Sequence, residues 1–287
     1  MKKTNIIIIA FAALSLTGCK SLYGNYERPD VKTSGIVRDP VDDKGALAGS
    51  NDFGNLPWRS VFTDPQLQTL IEKALENNPD LLNAALNIDI AEQQLRASKL
   101  AFLPSVVFAP NGSISHFGTH TSSTQAYTLP VTASWDVDLF GKLRSQKKAA
   151  QMALIQSRDY KVAVQTNLIC NVANLYYTLL MLDRQKQIVD DMSGLTKNTW
   201  DMMKLQMEFG RARSTSVQSA EAAYYSVQTQ GADIKRQIRE TENTLSLLLG
   251  EPAQSIARGS LENQSLPTNF SGGIGVQLLS NRADVHA

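Results

Sequence analysis

Among the residues of this 287-residue chain, Cys19 is the one best placed for covalent chemistry. It closes the tetrapeptide Leu16-Thr17-Gly18-Cys19, after a positive pair, Lys2 and Lys3, and an apolar run from Ile6 to Leu16. That tripartite order is a secretory signal peptide ending in a lipobox. A thiol here takes a diacylglyceryl group as a thioether, and the small Thr17 and Gly18 let a peptidase cut in front of Cys19. N-acylation of the freed amine completes the anchor. The competing reading is a transmembrane helix, which needs roughly 20 apolar residues, about twice the run present. Residues 1–18 are therefore expected to be removed, and lipid on Cys19 to fix the mature chain to a membrane.

No other residue set reads as a reaction centre. Cys170 is left without a cysteine partner once Cys19 carries lipid, which excludes an intramolecular disulfide. His116, His120 and His286 are neither clustered with carboxylates nor spaced like metal ligands on a helix; the first two are expected in a loop, and no metal site is assigned. Asp136 and Asp138 share a face by their two-residue spacing, but they stand at a strand end before a turn, where solvated or helix-capping acids are the ordinary case. A Gly-x-Ser-x-Gly elbow and a glycine-rich phosphate loop followed by Lys-Ser/Thr are both missing, so no catalytic residue is assigned. Lysine plus arginine total 28 against 27 for aspartate plus glutamate, with the signs interspersed, which excludes nucleic acid as a partner suggested by charge.

The elements around these residues fall into distinct stretches. Residues 19–57 are polar and rich in Gly, Asp and Pro, and read as an extended tether. Residues 58–104 carry two helical patterns: Asp64-Pro65 opens the first as N-cap and first helical residue, Asn77-Asn78-Pro79-Asp80 interrupts, and Pro104 closes the second. Over 105–138 the period changes to two. Tyr127, Leu129, Val131, Ala133, Trp135 and Val137 alternate with Thr128, Pro130, Thr132, Ser134, Asp136 and Asp138. That is a strand of about 11 residues, the length of a tilted transmembrane strand. Its partner is expected at about Val106 to Phe117, across a polar turn. The same alternation also describes a half-buried soluble hairpin, and this segment alone leaves both readings open.

Residues 139–250 return to the helical period. Leu168, Val172, Leu175, Leu179 and Leu182 form one seam with steps of four and three. A second runs through Val217, Ala220, Tyr224, Val227, Gly231, Ile234, Ile238, Thr241, Leu245 and Leu248. Ile169, Ala173, Tyr176 and Leu180 add a parallel apolar row, so the first helix needs more than one neighbour. The hairpin turns at either Ser193-Gly194 or Gly210-Arg211. The latter makes a first helix of about 67 residues, roughly 100 Å long. Gly250-Glu251-Pro252 ends the second arm, and residues 251–287 begin as a linker.

Taken together these residues resemble the TolC-like outer-membrane efflux proteins, in their lipoprotein branch. The resemblance runs from Trp58 to Gly250 and is most specific at Trp135-Asp136-Val137-Asp138-Leu139-Phe140-Gly141-Lys142. It is supported by Asp64-Pro65-Gln66-Leu67, Asn78-Pro79-Asp80-Leu81, Ala173-Asn174-Leu175-Tyr176-Tyr177 and Asn243 through Gly250. It implies a mainly α fold with a β-hairpin: a long coiled-coil helical hairpin plus two transmembrane strands, one repeat of an outer-membrane α/β-barrel channel. It also selects the Gly210 turn and makes Gly210, Arg211, Ala212, Arg213, Ser214 and Ser216 the periplasmic tunnel tip, where the family meets its adaptor. Where the family often has an acidic residue before Val217, this chain has Ser216, and Arg211 and Arg213 add positive charge.

The implied whole is a homotrimeric, porin-like conduit in the outer membrane, reaching into the periplasm and coupled through a periplasmic adaptor to an inner-membrane pump. It has no cofactor beyond the lipid on Cys19. Arg282-Ala283-Asp284-Val285 resembles the opening of the family's second repeat, so the chain is expected to be one repeat of two, a fragment or truncated product. A periplasmic adaptor lipoprotein is the alternative, and it requires two halves of a β domain flanking the hairpin. A lipid-anchored enzyme is a more remote one.

Overall fold

The computed structural model describes residues 57–116 and 123–264, so Cys19, His120, His286 and residues 282–285 lie outside the described residues. Helix α1 (Trp58–Val61) leads into α2 (Pro65–Asn77), which starts as its sequence dictates: Pro65 takes the first position and the Gln66 N–H donates to Asp64 Oδ1 at 2.8 Å. Asn78, only 3% exposed, both ends α2 and begins α3 (Pro79–Leu100). Its Oδ1 accepts from the Asp80 and Leu81 N–H groups at 3.0 and 3.1 Å, while its Nδ2 donates to the Leu248 carbonyl at 3.0 Å. The interruption read in the sequence is thus a corner pinned by one carboxamide.

Four short strands follow: β1 (Ser105–Phe108), β2 (Asn111–His116), β3 (Ser123–Thr128) and β4 (Val131–Ser134). β1 pairs antiparallel with β4 and β2 with β3. Both ladders have one register: Val106 faces Ala133, Phe108 faces Val131, Gly112 faces Tyr127 and Ile114 faces Gln125. They form one hairpin, interrupted at Pro130, which faces Ala109 in a hydrogen-bonded position and has no N–H to donate. Across the gap the Ala109 N–H still reaches the Pro130 carbonyl at 3.3 Å. The expected single strand to Val137 therefore differs from the structure in two ways. It is broken at Pro130, and pairing stops at Ser134 because Trp135 to Asp138 serve the junction with the next helix. His116 is the last residue of β2 rather than part of a loop.

Helix α4 (Lys142–Glu208) is 67 residues long, and α5 (Ser214–Leu248) returns along it. Gly194 lies inside α4, which passes through it at a cost of about 1 kcal/mol, small against the packing on either side. The turn is at Gly210, whose φ of 69° is a left-handed conformation that a side chain resists. The core is broader than a two-helix seam. Leu168, Val172, Ala173, Tyr176, Leu179, Leu180 and Leu182 are buried because α4 packs against α2 and α3 as well as α5. On α5 the buried apolar residues Val217, Val227, Ile238 and Leu245 belong to the seam read from the sequence, while buried Ser246 lies beside it.

Residues 251–264, read as linker, instead lie back on the helices. Arg258, with a side chain 13% exposed, bonds Asp183 on α4 and Glu242 on α5; its contact with Glu242 is 2.6 Å. The Tyr176 hydroxyl donates to Asp64 Oδ2 at 2.6 Å, and the Gln264 amide reaches the same oxygen at 2.8 Å. Burial alone would raise the Asp64 carboxyl, but hydrogen bonds from Tyr176, Gln264 and backbone N–H groups outweigh it and hold it below the ordinary range.

Candidate functional site

Two places carry the functional geometry, at opposite ends of α4. At its start stands the hairpin. On one face are Val106, Phe108, Ile114, Tyr127, Leu129, Val131 and Ala133, with Gln125 among them; on the other are Ser105, Asn111, Ser113, Thr128, Thr132 and Ser134, with Val107 and Ala126 among them. A half-buried soluble hairpin covers its apolar face with a core. Here every residue of 105–115 and 125–134 is exposed, Leu129 by 69%. The pair has the length to span: the 4 residues of β1 and the 6 of β2 continue one register, against the roughly 9–11 of a tilted membrane strand. Gly112 has its own reason, since a Cβ there would stand 2.9 Å from the Tyr127 ring that covers it.

The junction below the strands is tied to the helices. The Trp135 indole N–H donates to the Phe102 carbonyl at 3.1 Å. Asp138 Oδ2 accepts from the Arg144 N–H at 3.0 Å and pairs with its guanidinium at 3.3 Å, so Asp138 is a helix-capping acid. Leu139 and Phe140 beside it are 76% and 92% exposed.

At the far end of α4 the sequence-read tip residues fall in one tight connection. The Gly210 N–H bonds the Met207 carbonyl at 2.9 Å and the Arg211 N–H bonds that of Gln206 at 2.8 Å, a Schellman closure. Arg211, Arg213, Ser214 and Ser216 are exposed and Ala212 is half-buried. Among the described residues no side chain caps the start of α5, so its positive helix end adds to the charge of the two arginines. Three turns above, Trp200 stacks on Tyr224 with centroids 5.6 Å apart, and the Lys204 ammonium lies over the indole.

One feature escaped the sequence reading. Besides the side of α4 that faces α5, Ile188, Met192, Leu195, Met202 and Phe209 form a second apolar stripe, exposed by 43–71%. Its signal was legible, since Met181, Ile188, Leu195, Met202 and Phe209 recur every seven residues. Among the described residues no cluster of three or more His, Cys, Asp or Glu side chains is placed to hold a metal.

A long antiparallel helix pair that carries a two-faced β-hairpin at one end defines one repeat of an outer-membrane α/β-barrel channel. The chain belongs to the outer membrane efflux protein family, whose model matches residues 70–251. That is a family of outer-membrane channels rather than of enzymes. Its relatives include the cation efflux system protein CusC of Escherichia coli (strain K12), 28% identical over 279 residues, covering 95% of this chain and 60% of CusC. The probable outer membrane lipoprotein SilC of Salmonella typhimurium is 28% identical over 286 residues, covering 94% of this chain and 59% of SilC. A crystal structure of CusC, from work on its folding and transmembrane channel formation, superposes with a TM-score of 0.70 at 26% identity. It covers 92% of this chain and 59% of CusC. This chain thus spans about 60% of the length of the relatives it matches.

Proposed function

We propose that the chain forms part of the wall of a passive outer-membrane conduit in an efflux system, assembled as a homotrimer. The observation that carries this reading is the two-faced hairpin with neither face covered by the described residues, mounted on a helix of 67 residues. Its Thr, Ser and Asn face lines an aqueous pore, and its Val, Leu and Phe face meets lipid. The second apolar stripe of α4 packs against another helical hairpin, continuing the pore as a tunnel through the periplasm. Gly210, Arg211, Ala212, Arg213, Ser214 and Ser216 form the tip that meets a periplasmic adaptor, and the electropositive end suits an acidic adaptor surface. An inner-membrane pump supplies the energy, and the chain performs no catalytic step. Lipid on Cys19 is an auxiliary tether; the likeness to a lipoprotein supports it.

The test is cysteine scanning of the strands in outer membranes, in a Cys170→Ser background. Thr128→Cys and Thr132→Cys should react with a membrane-impermeant maleimide, while Leu129→Cys and Val131→Cys should be protected and react only with a lipid-soluble probe. Equal labelling at all four positions would overturn the reading, as would absence of conductance from the trimer in planar bilayers.

A further inference from the structure

The basic end of the helical domain, next to the strands, carries a charge pattern that the conduit itself does not require. Residues 93–104 and 135–157 carry Arg96, Lys99, Lys142, Arg144, Lys147 and Lys148 against Asp136 and Asp138 alone. Their net charge is +4, whereas the whole chain nets +1. Four of these cations lie in the first two turns of α4, which contain no acid. There the helix dipole presents its positive end, so each cation works against helix stability. Arg144 is offset by Asp138, but Lys147 is half-buried and Lys148 exposed, and neither has a hydrogen bond or ion pair among the described residues.

These side chains line a cleft of about 490 Å³ formed by Phe102, Arg144, Lys147, Lys148, Gln151 and Met152. Its lining combines three cations and an amide with the apolar Phe102 and Met152. Trp135, which bonds the Phe102 carbonyl, and Leu139 and Phe140 just before α4 are exposed by 62%, 76% and 92%, the residue types that mark a bilayer interface. Lys147 and Lys148 follow the start of α4 by five and six residues, about 8–9 Å along the axis, within the reach of a snorkelling lysine to the headgroup layer.

We propose that this cleft binds the phosphate-bearing headgroup of an anionic glycerophospholipid from the periplasmic leaflet of the outer membrane. Lys147 and Lys148 pair with the phosphate, Gln151 bonds the glycerol oxygens, and Phe102 and Met152 pack on the glycerol and the first acyl carbons. The arrangement explains why unpaired cations are kept at a helix start that disfavours them. It ranks lipids by charge, as juxtamembrane basic clusters do. The inference rests on the outer-membrane placement above, with the strands in the bilayer and the helices below it.

The experiment uses the full chain in nanodiscs of phosphatidylcholine, with or without one-third phosphatidylglycerol, and counts retained lipid by native mass spectrometry after detergent exchange. The parent chain should keep phosphatidylglycerol in preference to phosphatidylcholine by tenfold or more. The Lys147→Gln/Lys148→Gln double variant should lose that preference while its helix content is unchanged and its thermal stability is equal or higher. Met152→Gln should weaken retention without altering charge. Equal retention of the two lipids by the parent would overturn the proposal, as would a double variant that binds like the parent. So would displacement of the lipid by inorganic phosphate or glycerol phosphate at equal concentration, which would make the site one for a free anion. Fractionation separates this from the conduit reading: a double variant still in the outer membrane and still conducting, yet as selective as the parent, refutes the lipid site alone.

Discussion

Asn78 is the most economical place to test how the helical domain is held, because one side chain joins three elements. In an Asn78→Ala variant the Asp80 and Leu81 N–H groups lose their shared acceptor, an N-cap loss of about 1 kcal/mol. The Leu248 carbonyl loses its donor in a site where Asn78 is 3% exposed, which adds about 1–3 kcal/mol. The sum is about 2–4 kcal/mol. Asn78→Ser separates the two parts, since a serine hydroxyl still caps α3 but is too short to reach Leu248, and it should cost roughly half as much. Denaturant unfolding followed by far-UV circular dichroism measures both, as a shift in midpoint at unchanged slope. In a thermal melt of a domain this size the alanine variant should fall by roughly 5–15 °C. An alanine variant within about 0.5 kcal/mol of the parent, or a serine variant as costly as alanine, would refute the reasoning.

Three further outcomes follow from the same geometry. Gly210 and Gly250 have nearly equal φ, 69° and 67°, but a Cβ at Gly210 meets open space and one at Gly250 stands 2.7 Å from the Asn77 carbonyl oxygen. Gly210→Ala should therefore cost about 1–2 kcal/mol and Gly250→Ala about 2–5 kcal/mol by chemical denaturation, and equal costs would contradict the contact. Leu195→Glu and Met202→Glu, on the uncovered stripe of α4, should abolish oligomers in sedimentation velocity while the unfolding midpoint of the single chain stays within about 0.5 kcal/mol. Because Asp64 titrates below its usual 3.8 when folded, its contribution is fully present above that value and fades as pH falls through the lower folded value. The stability gap between the parent and Asp64→Asn should be flat from neutral pH to about pH 5 and shrink only below pH 3.8; a gap that grew on acidification would reverse the assigned direction.

Much of the fold was legible because it is encoded within a few residues. Asp64-Pro65, Asn78-Pro79 and Gly250 each mark a helix end by cap chemistry or positive φ, and each appears where expected, whereas local signals left Gly194 and Gly210 both open as the turn and the family resemblance chose Gly210, where the structure has it. The heptad seam of α5 was legible for the same reason, since period alone selects the buried side. Strand ends were not: Pro130 interrupts the ladder without changing its register, and Trp135 leaves it to bond Phe102, 33 residues away. The uncovered stripe of α4 was present in the heptads, yet only packing showed which stripe α5 takes and which it leaves.

What the sequence determined by itself is the order of elements and the two-faced character of the strands, because caps, glycines, prolines and periodicity act locally. What only the tertiary structure decided is which faces find partners. Arg258 meets Asp183 across 75 residues, and Gln264 meets Asp64 across 200, so a stretch that reads as linker becomes a brace on the helices. Lys147 and Lys148 come to line a cleft only once Phe102, 45 residues before Lys147, is brought to the same place. Such pairings depend on chain crossings that no local pattern records. Burial makes them matter energetically, because a charge or amide removed from water must find its partner wherever the fold places it.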